Sequence, residues 1–145
     1  MADLPNIRPG RTFDWVVQEH LAERAGKHWD LRLGDASTGM LSWAVPKSRL
    51  PEKAGQSLLA VEQPVHRYRD RHFQGQRKSG RGKGTVTQKH FGQIKVLSVD
   101  SGRIRFSTEY MGAPAEFLLV RGSKSPQSWS LVNVTPPKTG QAPPA

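Results

Sequence analysis

His28-Trp29-Asp30-Leu31-Arg32-Leu33 alternates strictly between polar and apolar side chains. A period of two is the signature of an extended strand, so His28, Asp30 and Arg32 line one face and Trp29, Leu31 and Leu33 the other. The preceding segment, Phe13 to His20, is rich in β-formers and sets Trp15 and Val17 opposite Val16, Gln18 and His20. Met40 to Val45 reads as a short buried strand stopped by Pro46. Further strands are expected at Ser57–Glu62, Gly84–Thr87, Ala115–Arg121 and Ser128–Val134, with a hairpin of Gln93–Val99 and Arg103–Ser107 turning at Asp100-Ser101-Gly102. A helical turn is expected only between Glu19 and Lys27. The fold class is mainly β, a small closed or nearly closed barrel of about eight strands with one short helix.

The domain organisation follows from composition. Residues 1–12 read as a flexible N-terminal arm, 13–134 as the barrel, and 135–145 as a disordered Pro-rich tail. Gly75 to Gly84, with four glycines and four basic residues, reads as a mobile loop rather than core. It is no P-loop, because it lacks a Gly-Lys-Ser/Thr ending before a helix. In 145 residues there is no cysteine, no run of about 18 apolar residues and no apolar stretch at the N-terminus of the kind that opens a secretory signal. The expectation is a cytoplasmic, nucleoid-associated protein with no membrane partner.

The charge is lopsided. Lys and Arg number 22 against 12 Asp and Glu, a net charge of +10. Eight of the cations fall between Arg67 and Lys89 (Arg67, Arg69, Arg71, Arg77, Lys78, Arg81, Lys83, Lys89) with Asp70 as the one acid among them. Such clustering is the footprint of a polyanionic partner. Lys47, just after Pro46, is a further candidate for a phosphate contact.

An imidazole, a carboxylate and a guanidinium side by side need partners that an apolar core does not offer. They suit a phosphate site. His28 and Asp30 can hold a divalent metal, with His20 completing a set of two imidazoles and one carboxylate appropriate to Mn²⁺ or a similar ion, while Arg32 grips phosphate oxygens. An Asp30–Arg32 or His28–Asp30 pair on a solvated sheet face has the same spacing. His66 and His72 lie in the basic segment, either as surface residues or as a donor to a phosphoryl group.

Three motifs in order resemble a known family: Phe13…Val16-Val17-Gln18-Glu19-His20, His28-Trp29-Asp30-Leu31-Arg32-Leu33, and Leu41-Ser42-Trp43-Ala44-Val45-Pro46-Lys47 are similar to the 3′-phosphoesterase domain of bacterial and archaeal DNA ligase D. The likeness continues through Ala60-Val61-Glu62, Phe73-x-Gly75, Gly82-x-Gly84-Thr85-Val86, Phe117-x-Leu119-Val120-Arg121 and Trp129-x-Leu131-Val132. The resemblance implies a small β-barrel and a manganese-dependent phosphoesterase. Such an enzyme removes a 3′-phosphate, or a 3′-terminal ribonucleotide and then its phosphate, from DNA or RNA-terminated strands. It implies His20, His28 and Asp30 as metal ligands, Gln18 and Arg32 as phosphate contacts, and His66 as a further active-site histidine, with His72 as its rival. The sequence departs from the family in a longer spacing from His20 to His28 and in Pro64-Val65-His66-Arg67 where the family has Glu-Asp-His-Pro. It also lacks an arginine before the Leu-Ala-Val strand. No Lys-x-Asp-Gly nucleotidylation motif occurs, so the resemblance implies a free-standing enzyme cooperating with a separate DNA ligase.

Overall fold

The structure is a computed structural model that describes residues 7–24, 26–78 and 83–137. Nine strands follow one another: β1 (Thr12–Ala22), β2 (Gly26–Asp35), β3 (Gly39–Val45), β4 (Ser57–His66), β5 (Gly75–Arg77), β6 (Gly84–Asp100), β7 (Arg103–Tyr110), β8 (Ala113–Arg121) and β9 (Ser128–Asn133). They pair in the order β1-β2-β3-β4-β9-β8-β7-β6, and β6 returns to pair with β1. The result is a closed eight-stranded antiparallel barrel, with β5 as an extra short strand against the start of β6. Closure removes the exposed edges that an open sheet would leave. The described residues contain no helix long and apolar enough to cross a membrane.

The barrel is filled by the alternate residues that the sequence pattern assigns to one face. Phe13, Trp15 and Val17 of β1 meet Leu31 and Leu33 of β2, Trp43 of β3, Phe106 of β7, Phe117 of β8 and Trp129 of β9. Trp43 and Trp129 pack edge to face at 5.4 Å. Each such buried side chain contributes about 1.5–3 kcal/mol. Ile7 joins this interior, and the Gly10 N–H donates to the Val96 carbonyl.

Four expectations are corrected. No helix forms between Glu19 and Lys27: β1 runs on to Ala22 and β2 begins at Gly26, so the segment is a hairpin pairing His20 with His28 and Leu21 with Lys27. Local helix preference loses because this end of β1 is hydrogen-bonded on both sides, Ala22 pairing with Gly26 and with Gly84. Among the described residues the one helical turn is Tyr68–Asp70, a 3₁₀ turn. The strands expected at 84–87 and 93–99 are one strand, β6, continuous through a bulge opposite Val17 and Gln18 that leaves Lys89 unpaired and breaks the alternation. Gly75 to Arg77, expected in a mobile loop, is β5; Ser79, Gly80, Arg81 and Gly82 lie outside the described residues. Finally β4 passes through Pro64 to His66, because an irregularity in its pairing with β3 leaves that proline without a ladder bond to make.

Candidate metal and phosphate site

The site lies on the outside of the barrel. The residues of β1–β3 that alternate with the core face outward, yet Val16, Gln18, His20, Asp30, Arg32, Met40 and Ser42 are all buried. A crossing segment between β4 and β5 accounts for this. The Gln18 side chain donates its amide hydrogens to the Arg71 and Phe73 carbonyls at 3.1 and 2.9 Å, and the Tyr68 hydroxyl donates to Asp14 at 2.5 Å. Arg71 lies over the Tyr68 ring at 3.8 Å and within 3.4 Å of the Asp14 carboxylate. Residues 67–74 are thereby pinned across β1 as a flap.

The β1–β2 hairpin assembles the cluster. Because His20 pairs with His28 and Gln18 with Asp30, two imidazoles and two polar chains meet on one face. Asp30 is the hub: its carboxylate lies 3.2 Å from His28 Nε2, 3.6 Å from His20 Nδ1 and 3.5 Å from an Arg32 terminal nitrogen. Arg32 also donates to the Gln18 side-chain oxygen. One ligand atom from each of His20, His28 and Asp30 falls within 4.8 Å of the others.

The electrostatics suit a cation. Burial pushes Asp30 up, but hydrogen bonds from His20 and His28 and the charge of Arg32 outweigh it and hold the carboxyl well below its usual range. It is therefore ionised at any physiological pH. The hydrogen bond to Asp30 raises His28 against the opposing effect of its burial, and burial lowers Arg32. His66, at the end of β4 opposite Met40, is pushed down to about 4 by burial and by the charges of Arg32 and Arg77, so it is neutral at pH 7. Two buried nitrogens here, Arg32 Nε and His66 Nδ1, have no hydrogen-bond partner among the described residues. Buried polar nitrogens in a folded protein are normally paired, and an incoming anion would accept from Arg32 Nε and from His66 Nδ1 wherever that nitrogen carries the proton. The donor set of two imidazoles, an ionised carboxylate and a neighbouring guanidinium thus fits both a divalent ion and a phosphate.

The remaining candidates are scattered. His72 is exposed and pairs with the Gln88 side chain at 2.7 Å, whereas His66 is within electrostatic reach of Arg32 and Asp30. Lys47, Arg67, Arg69 and Lys78 are exposed. Arg71 is engaged inside the flap, and Lys83 lies 3.7 Å from Glu23. Arg81 lies outside the described residues. Arg77 is brought closer than its place in a basic run suggested: β5 pairs Gly75 with Val86, which pairs with His20, so Arg77 shares the outer face with the cluster. The sequence reading missed the Asp14–Tyr68 pin and the buried Ser42 opposite Arg32. A usable signal existed for the first, since Asp14 begins the same period-two row as Val16, Gln18 and His20.

Comparison with known proteins bears on what such a cluster serves. The family model for the DNA Ligase D 3′-phosphoesterase domain matches residues 18–133. No curated protein matches the chain significantly.

Proposed function

The chain belongs to the DNA ligase D 3′-phosphoesterase domain family, a phosphoesterase family of DNA repair, and from that premise we propose that it clears blocking groups from DNA 3′ ends in a metal-dependent reaction. The observation that carries this reading is the convergence of His20, His28 and Asp30 beside Arg32, with unpartnered Arg32 Nε and His66 Nδ1 on the same face. The residues 13–134 form the catalytic unit. The end product is a 3′-hydroxyl for a separate DNA ligase, and the substrates are a 3′-phosphate and, secondarily, a 3′-terminal ribonucleotide.

His20, His28 and Asp30 would hold Mn²⁺ or another divalent ion, which when bound supplies positive charge to a phosphoryl oxygen and acidifies water. Arg32 neutralises the non-bridging oxygens, its Nε free to donate while its terminal nitrogens stay anchored on Gln18 and Asp30. Gln18 fixes the guanidinium and, through the Arg71 and Phe73 carbonyls, fixes the flap over it. His66 approaches the phosphate as a neutral imidazole. An arriving dianion favours its protonated form, which makes it a proton source for the departing 3′-oxygen. Exposed Lys47, Arg67, Arg69, Arg77 and Lys78 hold the strand by its backbone.

The test is a 5′-labelled primer–template ending in a 3′-phosphate, incubated with Mn²⁺ or with EDTA. Conversion to the 3′-hydroxyl only with metal is expected. No product with any divalent ion, together with a salt-sensitive gel shift, would instead mark a non-catalytic nucleic-acid-binding module, a reading that the exposed cations alone also support.

A further inference from the structure

β5 takes no part in closing the ring, yet this short strand is tied down along its length. The Phe73 carbonyl before it accepts from Gln18, the Gln74 side-chain oxygen accepts from the Gln88 N–H, and the Gln76 side chain donates to the Thr85 hydroxyl at 3.1 Å. Residues paired across strands share a face, and so do residues two apart on one strand. Gly75 is paired with Val86 and Val86 with His20, so Arg77 belongs to the same outer face as His20. Its guanidinium is exposed, but its charge reaches both Arg32 and His66 and lowers both. On His66 each of the two arginines outweighs either acid that reaches it, Asp30 and Asp70. Arg32 is anchored on Asp30 and Gln18, whereas the Arg77 side chain makes no ion pair or hydrogen bond among the described residues. A second guanidinium near the first, with no acid of its own, is repelled by it, and an anion held between them offsets that repulsion.

We infer that Arg77 is the second arginine of a phosphate pocket completed by Arg32 and His66, and that it selects the dianion of a terminal phosphate monoester over a phosphodiester. This rests on the proposed function and narrows its substrate class, moving Arg77 from general contact with the strand to the group that is removed. A monoester carries a second negative charge and a third non-bridging oxygen that a diester lacks. Arg32 already has Asp30 as its counter-charge, so the uncompensated positive charge that answers the second negative one is that of Arg77. Its forked donors suit the third oxygen, while Arg32 Nε and His66 Nδ1 face the other two.

The experiment titrates the whole chain in EDTA with inorganic phosphate and with dimethyl phosphate, at mildly alkaline pH, by calorimetry. Phosphate is expected to bind, and dimethyl phosphate to bind about 10-fold more weakly or worse. Arg77→Gln should weaken phosphate by about 10-fold and dimethyl phosphate by less than about 3-fold. Arg77→Lys should recover part of the loss by restoring charge without the fork. Lys124→Gln, which removes one charge from the loop between β8 and β9, should change neither affinity. No binding of phosphate, an equal loss for both anions, an equal loss in Lys124→Gln, or unaltered phosphate binding by Arg77→Gln overturns the pocket. With Mn²⁺, Arg77→Gln should raise KM for a 3′-phosphate end by about 10-fold with kcat nearly kept, the mark of an interaction present in ground state and transition state alike. Turnover of that end with KM unchanged in Arg77→Gln sinks the pocket alone. Phosphate binding that depends on Arg77, without turnover of any end with any divalent ion, sinks the catalysis and leaves the pocket standing.

Discussion

β1, β2 and β3 bury both of their faces, and they do so by opposite means. Inward go Trp15, Val17, Leu31, Leu33, Leu41 and Trp43, packed by area and shape. Outward go Val16, Gln18, His20, Asp30, Arg32 and Ser42, sealed by the flap through directional bonds. An antiparallel sheet ordinarily gives one face to water. Here that second face is withdrawn from water while keeping its polar residues, which costs free energy unless every group is matched. The inner face tolerates exchange of one apolar shape for another of like volume. The outer face does not, because Gln18, Arg32, Asp30 and the two imidazoles are bound to one another in a chain.

Substitutions on either face can break or sharpen this contrast. The largest effect expected on the inner side is from Phe117→Ala, which should lower stability by about 3–5 kcal/mol in urea titration; a loss below 1 kcal/mol would mean the barrel interior is loosely packed. On the outer side Asp30→Asn should cut turnover of a 3′-phosphate end by about 10²–10³-fold or more, with cooperative unfolding and β-sheet circular dichroism retained. Turnover near that of the unaltered protein would remove Asp30 from the metal set. His66→Ala should slow the same reaction by about 10²-fold, whereas His72→Ala should leave the rate constant of a saturated enzyme close to normal.

Acid should act on the outer face through His66, and on the inner face through His90, which burial against Trp15 and Tyr110 lowers from the ordinary value. His66 is held neutral down to about pH 4 against an ordinary 6.5, so between those values the unfolded chain binds a proton that the folded one refuses. Stability therefore falls as the pH is lowered through 6.5 to 4, by about 1–2 kcal/mol once the partial exposure of the ring is allowed for. Below pH 4 the depressed Asp30 adds to the loss, because its unfolded form takes up a proton first. Denaturant melts of His66→Gln in EDTA should be flatter across the upper window, and an unchanged slope would contradict the assignment. The smallest effect is expected from Asp14→Asn, which weakens the Tyr68 and Arg71 contacts by about 1 kcal/mol and should show first as faster proteolysis within residues 67–74.

Much of this contrast is legible in the sequence, and the exceptions have physical causes. The alternation in His28 to Leu33 and in Trp15 to His20 assigns both faces correctly, since period-two geometry needs no tertiary information. It cannot say which face lies inside a closed ring, nor that the other is covered. The Gln18 contacts with the Arg71 and Phe73 carbonyls join positions more than fifty residues apart through backbone atoms, which leave no mark in side-chain pattern. The hairpin at Glu19–Lys27 escapes local reading because neighbours on both sides decide it. β6 reads as two pieces because its bulge at Lys89 interrupts the period.

The bond between β1 and β6 that closes the ring has a consequence for the order of events during synthesis. Its partners, from Thr12 with Lys95 to Ala22 with Gly84, lie roughly sixty to eighty positions apart. The hairpin that sets His20 against His28 and Asp30 is by contrast entirely local and leaves the ribosome long before Gly84 to Asp100 is made. The pairing that sets the imidazoles beside the carboxylate needs only a short loop, whereas closing the ring needs one of the longest in the fold. An isolated hairpin is only marginally stable in water, so that short-range pairing is made lasting by the return of β6 to the strand where the ring began, a contact of the kind expected to form slowly.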